Sequence, residues 1–441
     1  MTSDQSARAS RLYVWVWLPG KTEPVVAGQL VQTADRYEKE PVLVFAYGRT
    51  YRENPEAISL FAPELPLVAG TMNPTRPGRL TRGEFPAWRG SPAAGDRSPM
   101  ALAGALRDAS PDAWGRRVIN LRMGGNPDLD LSEITYLASS DSDRTGALDF
   151  QQSSTEYVPR GEKASLEQLV EAAALIERGE PLPDDLVAAA GHGTSIGGAR
   201  PKALLVDGDR QLVAKFSSST DDRPVVKAEA VGMLLARRVG IDVPKVEVVQ
   251  SAGKDVLLVE RFDRTPQGGR RMVVSALTIL GLREEEARYA TYGHLARAMR
   301  FPGWADTDVQ LRELYTRLVL NVVVGNTDDH LRNHAAFWSG SDLRLTPAYD
   351  ISPQRRNTPN ATHAIGLTAN GERASQLRVA RPAGRDFLLT PNEADGIIDH
   401  VVSTVQKEWD DVCDEAGLTR VERDQLWRRE FMNDYIFWPE A

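Results

Sequence analysis

The chain has 441 residues, of which 41% are hydrophobic and 26% charged, with a formal net charge of −8. That length exceeds one ordinary core and predicts two or three domains, while the acidic balance argues against nucleic acid as the partner of the whole surface. The lone Cys413 excludes an internal disulfide framework and fits a reducing cytoplasm, with the thiol expected as a small core residue.

The first ten residues are polar, and the apolar run that follows, residues 12–18, is too short for a secretory core or a membrane span, so a cytoplasmic protein without membrane contact is expected. Residues 11–48 read as β-rich, with runs at 12–18, 25–31 and 41–47 separated by Pro, Gly and charged turns. Residues 71–98 are rich in Pro, Gly and Arg and read as a loop. A helix is expected over 112–123, opening at Pro111-Asp112-Ala113-Trp114-Gly115-Arg116. A second, over 166–178, has Leu166, Leu169, Val170, Ala173 and Ile176 on one face and Gly179 just past its end.

Next comes Gly191-His192-Gly193-Thr194-Ser195-Ile196-Gly197-Gly198-Ala199-Arg200-Pro201. Its glycines would let backbone amides approach phosphates closely, although a flexible linker has the same composition. Strand-like runs follow at 202–206 and 212–216, and the second carries Lys215. A lysine on an apolar strand needs an anionic partner, and nucleotide phosphate supplies one. Glu229, on an expected helix over 225–239, is placed to orient Lys215 by an ion pair. Residues 255–264 form an apolar strand that turns abruptly polar. Backbone groups at Glu260, Arg261 and Phe262 would there hydrogen-bond an adenine, while a strand simply leaving the core would look the same.

Asn326-Thr327-Asp328-Asp329-His330-Leu331-Arg332-Asn333 repeats the Asp-x-x-x-x-Asn spacing with which protein kinases place a catalytic Asp and a metal-holding Asn. On a tight loop, Asp328 would face an incoming hydroxyl while the Asn333 side-chain oxygen turns toward magnesium on the nucleotide. Residues 335–338 are apolar, 339–342 have turn chemistry and 343–346 alternate, which predicts a hairpin. That hairpin would return Asp350, in Pro347-Ala348-Tyr349-Asp350-Ile351-Ser352-Pro353, to the same site as a second magnesium ligand. This is the role of the Asp in Asp-Phe-Gly, although Phe-Gly is absent here. Helices are expected again over 394–416 and 420–435.

Taken in order, the segment from Ser195 to Lys202, then Lys215, Glu260-Arg261-Phe262-Asp263-Arg264, the Asn326 to Asn333 loop and Tyr349-Asp350-Ile351-Ser352-Pro353 resemble the HipA family of bacterial serine/threonine kinase toxins. The resemblance spans about residues 190–355, and the β-rich start with Pro111 to Arg116 is similar to that family's small N-terminal domain. It implies an α+β, protein-kinase-like fold in two lobes: a β-rich subdomain over 1–110, an N-lobe over 111–265 and a helical C-lobe over 266–441, with ATP between the lobes. It further implies that the amides of Ile196, Gly197, Gly198 and Ala199 cover the phosphates. Lys202, Lys215, Glu260, Arg261, Phe262, His330 and Asn333 would complete the ATP site, Asn333 and Asp350 would hold Mg2+, and Asp328 would be catalytic.

Ser195 falls where the family's autophosphorylated loop serine lies, a modification that ejects the loop and silences the kinase. Family members pair with a small helix-turn-helix antitoxin that binds operator DNA, and some phosphorylate aminoacyl-tRNA synthetases, so DNA contact is expected mainly through such a partner. Asp329 stands where many members carry Gly, and Arg200-Pro201 where others carry Gln and Glu or Pro. Three other readings compete. A metal hydrolase could use Asp328, Asp329, His330, His334 and Asp350, but this leaves Lys215 and the glycine loop unexplained. A small-molecule phosphotransferase of the aminoglycoside-kinase type shares the Asp and Asn spacing. A pseudokinase serving only as an antitoxin-binding co-repressor is disfavoured by the presence of Lys215, Asp328, Asn333 and Asp350.

Overall fold

Alternating apolar residues near the start of the chain build a sheet with one face in the core. In the computed structural model, which describes residues 10–33, 41–74, 100–161, 164–180, 182–183, 186, 200–218, 221–356 and 360–439, β1 (Arg11–Val16), β2 (Val25–Thr33) and β3 (Val42–Tyr47) pair antiparallel. Their far edge is completed by β4 (Leu148–Gln151), giving the order β3-β2-β1-β4. The subdomain expected to close at residue 110 therefore takes an edge strand from beyond it. No local pattern announces a pairing between strands so far apart. Most of the expected loop over 71–98 lies outside the described residues.

The second sheet has the order β5-β6-β8-β7, from β5 (Lys202–Asp207), β6 (Arg210–Phe216), β7 (Val246–Ser251) and β8 (Lys254–Glu260), all antiparallel. The two-residue period of a strand sends alternate side chains to opposite faces. Ala214, Phe216, Val256 and Leu258 pack with Trp114 and Val118 of helix α1 (Ala113–Gly124) and with Leu169 and Ile176 of α2 (Leu166–Arg178). Val213 and Leu257 face the main core, which includes α3 (Val225–Val239). Helix α2 follows the sequence closely: a Ser165/Gln168 capping box opens it and left-handed Gly179 closes it.

The expected hairpin is present as β10 (Ala335–Trp338) and β11 (Leu343–Leu345), paired Ala336 to Leu345 and Trp338 to Leu343. A third strand, β9 (Val273–Ser275), extends it on the other side of β10. Below lie α4 (Tyr292–Met299), α5 (Thr307–Val324), α6 (Pro391–Glu415) and α7 (Arg420–Leu426). Helix α5 is the axis of this region, with Leu311, Leu314, Tyr315, Leu318, Val319, Leu320, Val322 and Val323 all inaccessible. Helix α6 opens with a Thr390/Glu393 capping box and Pro391 in its first turn, and it buries Cys413 as expected.

Helix α7 stops at Leu426 rather than continuing to residue 435. Trp427 is extended, and Arg428 (φ 62°) and Met432 (φ 53°) are left-handed, which no α-helix accommodates. The turn lets Trp427 and Phe431 pack on Trp409, with ring centres 4.6 and 4.9 Å away. Among the described residues no helix is long and apolar enough to cross a membrane.

Candidate active site

Strand β6 places Lys215 on the face that looks toward α3. Its Nζ donates to Glu229 Oε1 of α3 at 2.5 Å and to Asp350 Oδ1 at 2.5 Å. Three segments far apart in sequence thus meet on one ammonium group. Burial alone would discharge the lysine, but the two carboxylates outweigh it and hold the Lys215 pKa well above the ordinary lysine value. Burial likewise works against the Asp350 carboxylate, yet Lys215 and then Lys202 hold it below the usual carboxylate range. Burial pushes Glu229 up against the pull of Lys215.

Lys202 lies directly across the sheet from Lys215 and is itself buried, with its pKa lowered first by burial and then by Lys215. Two ammonium groups beside a carboxylate that keeps 38% of its side chain exposed form a surface suited to polyphosphate with a divalent cation. Among the described residues no group of three or more His, Cys, Asp or Glu side chains could hold a metal by itself. A magnesium ion retained by one or two protein oxygens plus phosphates needs no such group, so this does not count against Asn333 and Asp350 as its holders.

Asp350 reaches this position through unusual backbone. Its φ is 60°, in the left-handed region that Asp tolerates better than most side chains. The following carbonyl, of Ile351, sits where α3 has Gly232; a Cβ there would come within 2.4 Å of that oxygen. Gly232 is thus a close-approach glycine, and it lets the Asp350 segment lie against the helix that carries Glu229.

The loop after α5 supplies the other candidates. Gly325 (φ 74°) ends the helix and accepts from the Gln354 amide at 2.9 Å. Asp328 is exposed on the turn that follows, whereas Asn333 is buried at the end of a short 3-10 turn over Leu331–Asn333. The Asp328 carboxyl is pushed above its ordinary value, by partial desolvation first and then by Asp350 and Asp329, with His330 pulling the other way. Tyr349 Oη donates to the Arg332 carbonyl at 2.6 Å, joining the Asp350 segment to this loop.

A buried polar relay holds the loop from behind. Asn326 Nδ2 donates to Asn321 Oδ1 at 3.1 Å, Asn321 Nδ2 donates to Tyr292 Oη at 2.9 Å, and Tyr292 Oη donates to Asp329 Oδ2. The same carboxylate oxygen lies 3.0 Å from His334 Nε2. Burial acts to raise Asp329, but His334 and Tyr292 prevail and lower it. Asp329 and His334 therefore turn inward, away from Asp328, and the ligand set of the hydrolase reading is not assembled. Tyr292 and Asn321 were not readable as site residues, because only the fold brings α4 and α5 to this loop.

The remaining candidates divide. Ser195, Ile196, Gly197, Gly198 and Ala199 lie outside the described residues. At the end of β8 the Glu260 amide donates to the Lys245 carbonyl and the Arg261 amide to that of Gln211, leaving Phe262, whose amide makes no such bond among the described residues. The Arg261 side chain is engaged within the protein. It donates to Asp263 and Asp143 and to the Arg144 carbonyl, in a buried cluster shared with Arg264. His330 is half-buried, and its carbonyl accepts from the Asn333 amide at 2.9 Å.

Comparison with known proteins gives this arrangement a lineage. Residues 194–409 match the HipA-like C-terminal domain. A protein of Sinorhizobium fredii provisionally named as a kinase, Y4mE, is 26% identical over 273 residues, covering 55% of this chain and 61% of the relative. The serine/threonine-protein kinase toxin HipA of Shewanella oneidensis is 27% identical over 188 residues, covering 36% of this chain and 42% of the toxin. These alignments span less than two thirds of either relative. The solved structure of Shewanella oneidensis MR-1 HipA, in complex with HipB and operator DNA, superimposes with a TM-score of 0.62 at 15% identity, covering 96% of this chain and 99% of the other. At that identity the likeness speaks for the fold. The chain thus carries a HipA-like C-terminal domain over residues 194–409 and shares the kinase-like HipA fold.

Proposed function

We propose that the chain is an ATP-dependent protein serine/threonine kinase and the toxin of a toxin-antitoxin pair. The observation that carries this reading is Lys215 held between Glu229 and Asp350 at 2.5 Å each. The Lys–Glu pair and the metal-binding Asp are the two conditions that kinase chemistry requires together. In this reading Lys215 holds the α/β-phosphates, and Asp328 accepts the proton of a Ser or Thr hydroxyl as its oxygen bonds to the γ-phosphorus and the bond to the ADP oxygen breaks. Magnesium, held by Asn333 and Asp350, would neutralise charge on the β- and γ-phosphates. Ile196 to Ala199 would cover the phosphates through backbone amides, and Phe262 would offer its amide to adenine.

Ser195 is proposed as the autoregulatory phosphosite, since a phosphate adding about −1.5 to −2 charge beside a triphosphate is repelled. The proposed partner is a small DNA-binding antitoxin, as HipB is for the Shewanella oneidensis protein. An aminoacyl-tRNA synthetase is proposed as a target. The test is incubation of the purified chain with radiolabelled ATP and a bacterial lysate, then intact-mass analysis of the chain. Label on another protein, and phosphate on the peptide containing Ser195, are expected. A wild-type preparation that labels nothing, itself included, overturns the reading.

A further inference from the structure

Beyond Asp350 the chain runs through Pro353 to a cavity of about 480 Å3 that is lined by five arginines and does not include Lys215. Three of them are neutralised. Arg223 pairs with Glu430 at 2.6 Å, Arg355 with Asp222, and Arg428 with Asp434 at 3.1 Å. The other two, Arg356 and Arg429, have no acidic partner among the described residues. Among the described residues Arg356 Nη1 donates to the neutral Asn433 Oδ1 at 3.2 Å, and its Nε and Nη2 are inaccessible and have no hydrogen-bond partner. The side chain is half-buried with its guanidinium 5.8 Å from the centre of the Tyr435 ring, and donors left idle there cost free energy unless something accepts from them.

We infer that this cavity is an anion site for a phosphomonoester dianion, presented either as a phosphorylated Ser or Thr side chain or as free phosphate. The charge argument selects the ligand. Half-buried Arg356 and exposed Arg429, neither in an ion pair among the described residues, together match about two negative charges, which a phosphomonoester supplies at neutral pH and a single carboxylate does not. Arginine donors form forked hydrogen bonds that match phosphate oxygens. The volume falls in the range of small-molecule sites, well beyond a bare ion, and so admits a phosphorylated side chain with its neighbours.

The experiment is phosphorus-31 NMR and calorimetry on the full chain. The probes are inorganic phosphate, a short phosphoserine peptide, and the same peptide with Ser or Asp in place of phosphoserine. The phosphopeptide is expected to bind more tightly than the Asp peptide, with the Ser peptide silent. Comparable binding of inorganic phosphate would assign the free ion as occupant. Arg356→Gln and the exposed Arg429→Gln should each weaken binding roughly 10- to 100-fold, the range for losing a charge-assisted hydrogen bond, while Lys215→Met leaves it intact. Arg429→Gln keeps the test valid if Arg356→Gln fails to fold. Wild-type chain that binds neither phosphate probe overturns the inference. So does binding that survives both arginine variants or disappears in Lys215→Met.

Discussion

Asp328 and Asp350 are held in opposite electrostatic conditions, and the difference can be measured. Asp328 is raised above its ordinary 3.8 by partial desolvation and by Asp350 and Asp329. A carboxyl whose folded pKa is raised favours folding below its unfolded value and loses that contribution as pH rises through the folded value. Asp328→Asn should therefore lower phosphoryl transfer on the order of 10² to 10⁴ fold, yet leave the melting temperature at neutral pH unchanged or slightly higher. A melting temperature well below wild type would show that Asp328 is structural. The acid limb of the pH–rate profile should also lie above the ordinary Asp value. Asp350 differs in its backbone, since φ is 60°. Asp350→Asn should fold and lose the magnesium dependence of ATP binding, whereas Asp350→Val should also lose roughly 1–3 kcal/mol to strain. Calorimetry with and without magnesium, beside thermal melts, separates the two effects. ATP affinity that still depends on magnesium in Asp350→Asn would remove Asp350 from the metal.

At the scale of elements, α3 and the Asp350 segment touch through Gly232. Gly232→Ala would put a methyl 2.4 Å from the Ile351 carbonyl oxygen, so the segment must move off the helix and Asp350 off Lys215. We expect weaker ATP binding and a loss of about 1–3 kcal/mol, the usual penalty of overpacking. Gly396→Ala in α6, where nothing lies within 4 Å, should by contrast gain up to about 1 kcal/mol. Denaturant titration of both variants checks the contrast. Elements of this kind were unequally legible. Strands β5, β6 and β8 of the second sheet, α2, α3 and the β10–β11 hairpin were readable because each is an apolar run or stripe bounded by turn or cap residues. Helix α5 was not, since residues such as Leu311, Tyr315 and Val322 are buried on all sides and leave no amphipathic stripe. Strand β7 has only half-buried valines interrupted by exposed Glu247 and Gln250, too weak a pattern to notice. The Lys215–Glu229–Asp350 cluster was legible as a list of residues, through spacing and family resemblance, whereas the Tyr292–Asp329–His334 relay depends on packing alone.

At the scale of the molecule, the first sheet is joined to the rest by buried charge. Arg144 and Asp149 form an ion pair at 2.9 Å with both side chains fully inaccessible, and Arg144 also donates to the carbonyls of Ala109 and Leu137. Asp149→Ala would strand the guanidinium and should lose about 3–5 kcal/mol, while Arg144→Met with Asp149→Leu should lose less. Urea unfolding of single and double variants tests this, and a double variant as unstable as the single one would contradict it. The overall charge of −8 leads to a further expectation, that the isolated chain retards DNA weakly in a gel shift and that a small basic partner supplies the affinity. Tight, sequence-specific binding by the chain alone would contradict that division of labour.

Helix α3 is fastened near its start to the end of the chain, by Arg223 to Glu430 and Lys227 to Glu422, and near its end by Arg238 to Glu415. Fixed at so many points, it has little room to swing. On the proposed activity, the lysine–glutamate pair is then a standing condition of the molecule, with no separate act of arming. If the proposed toxin role holds, a catalyst assembled ready to fire would have to be restrained by another molecule or by a covalent mark on itself, and its host would be protected by the ratio of two gene products, whatever the speed of either.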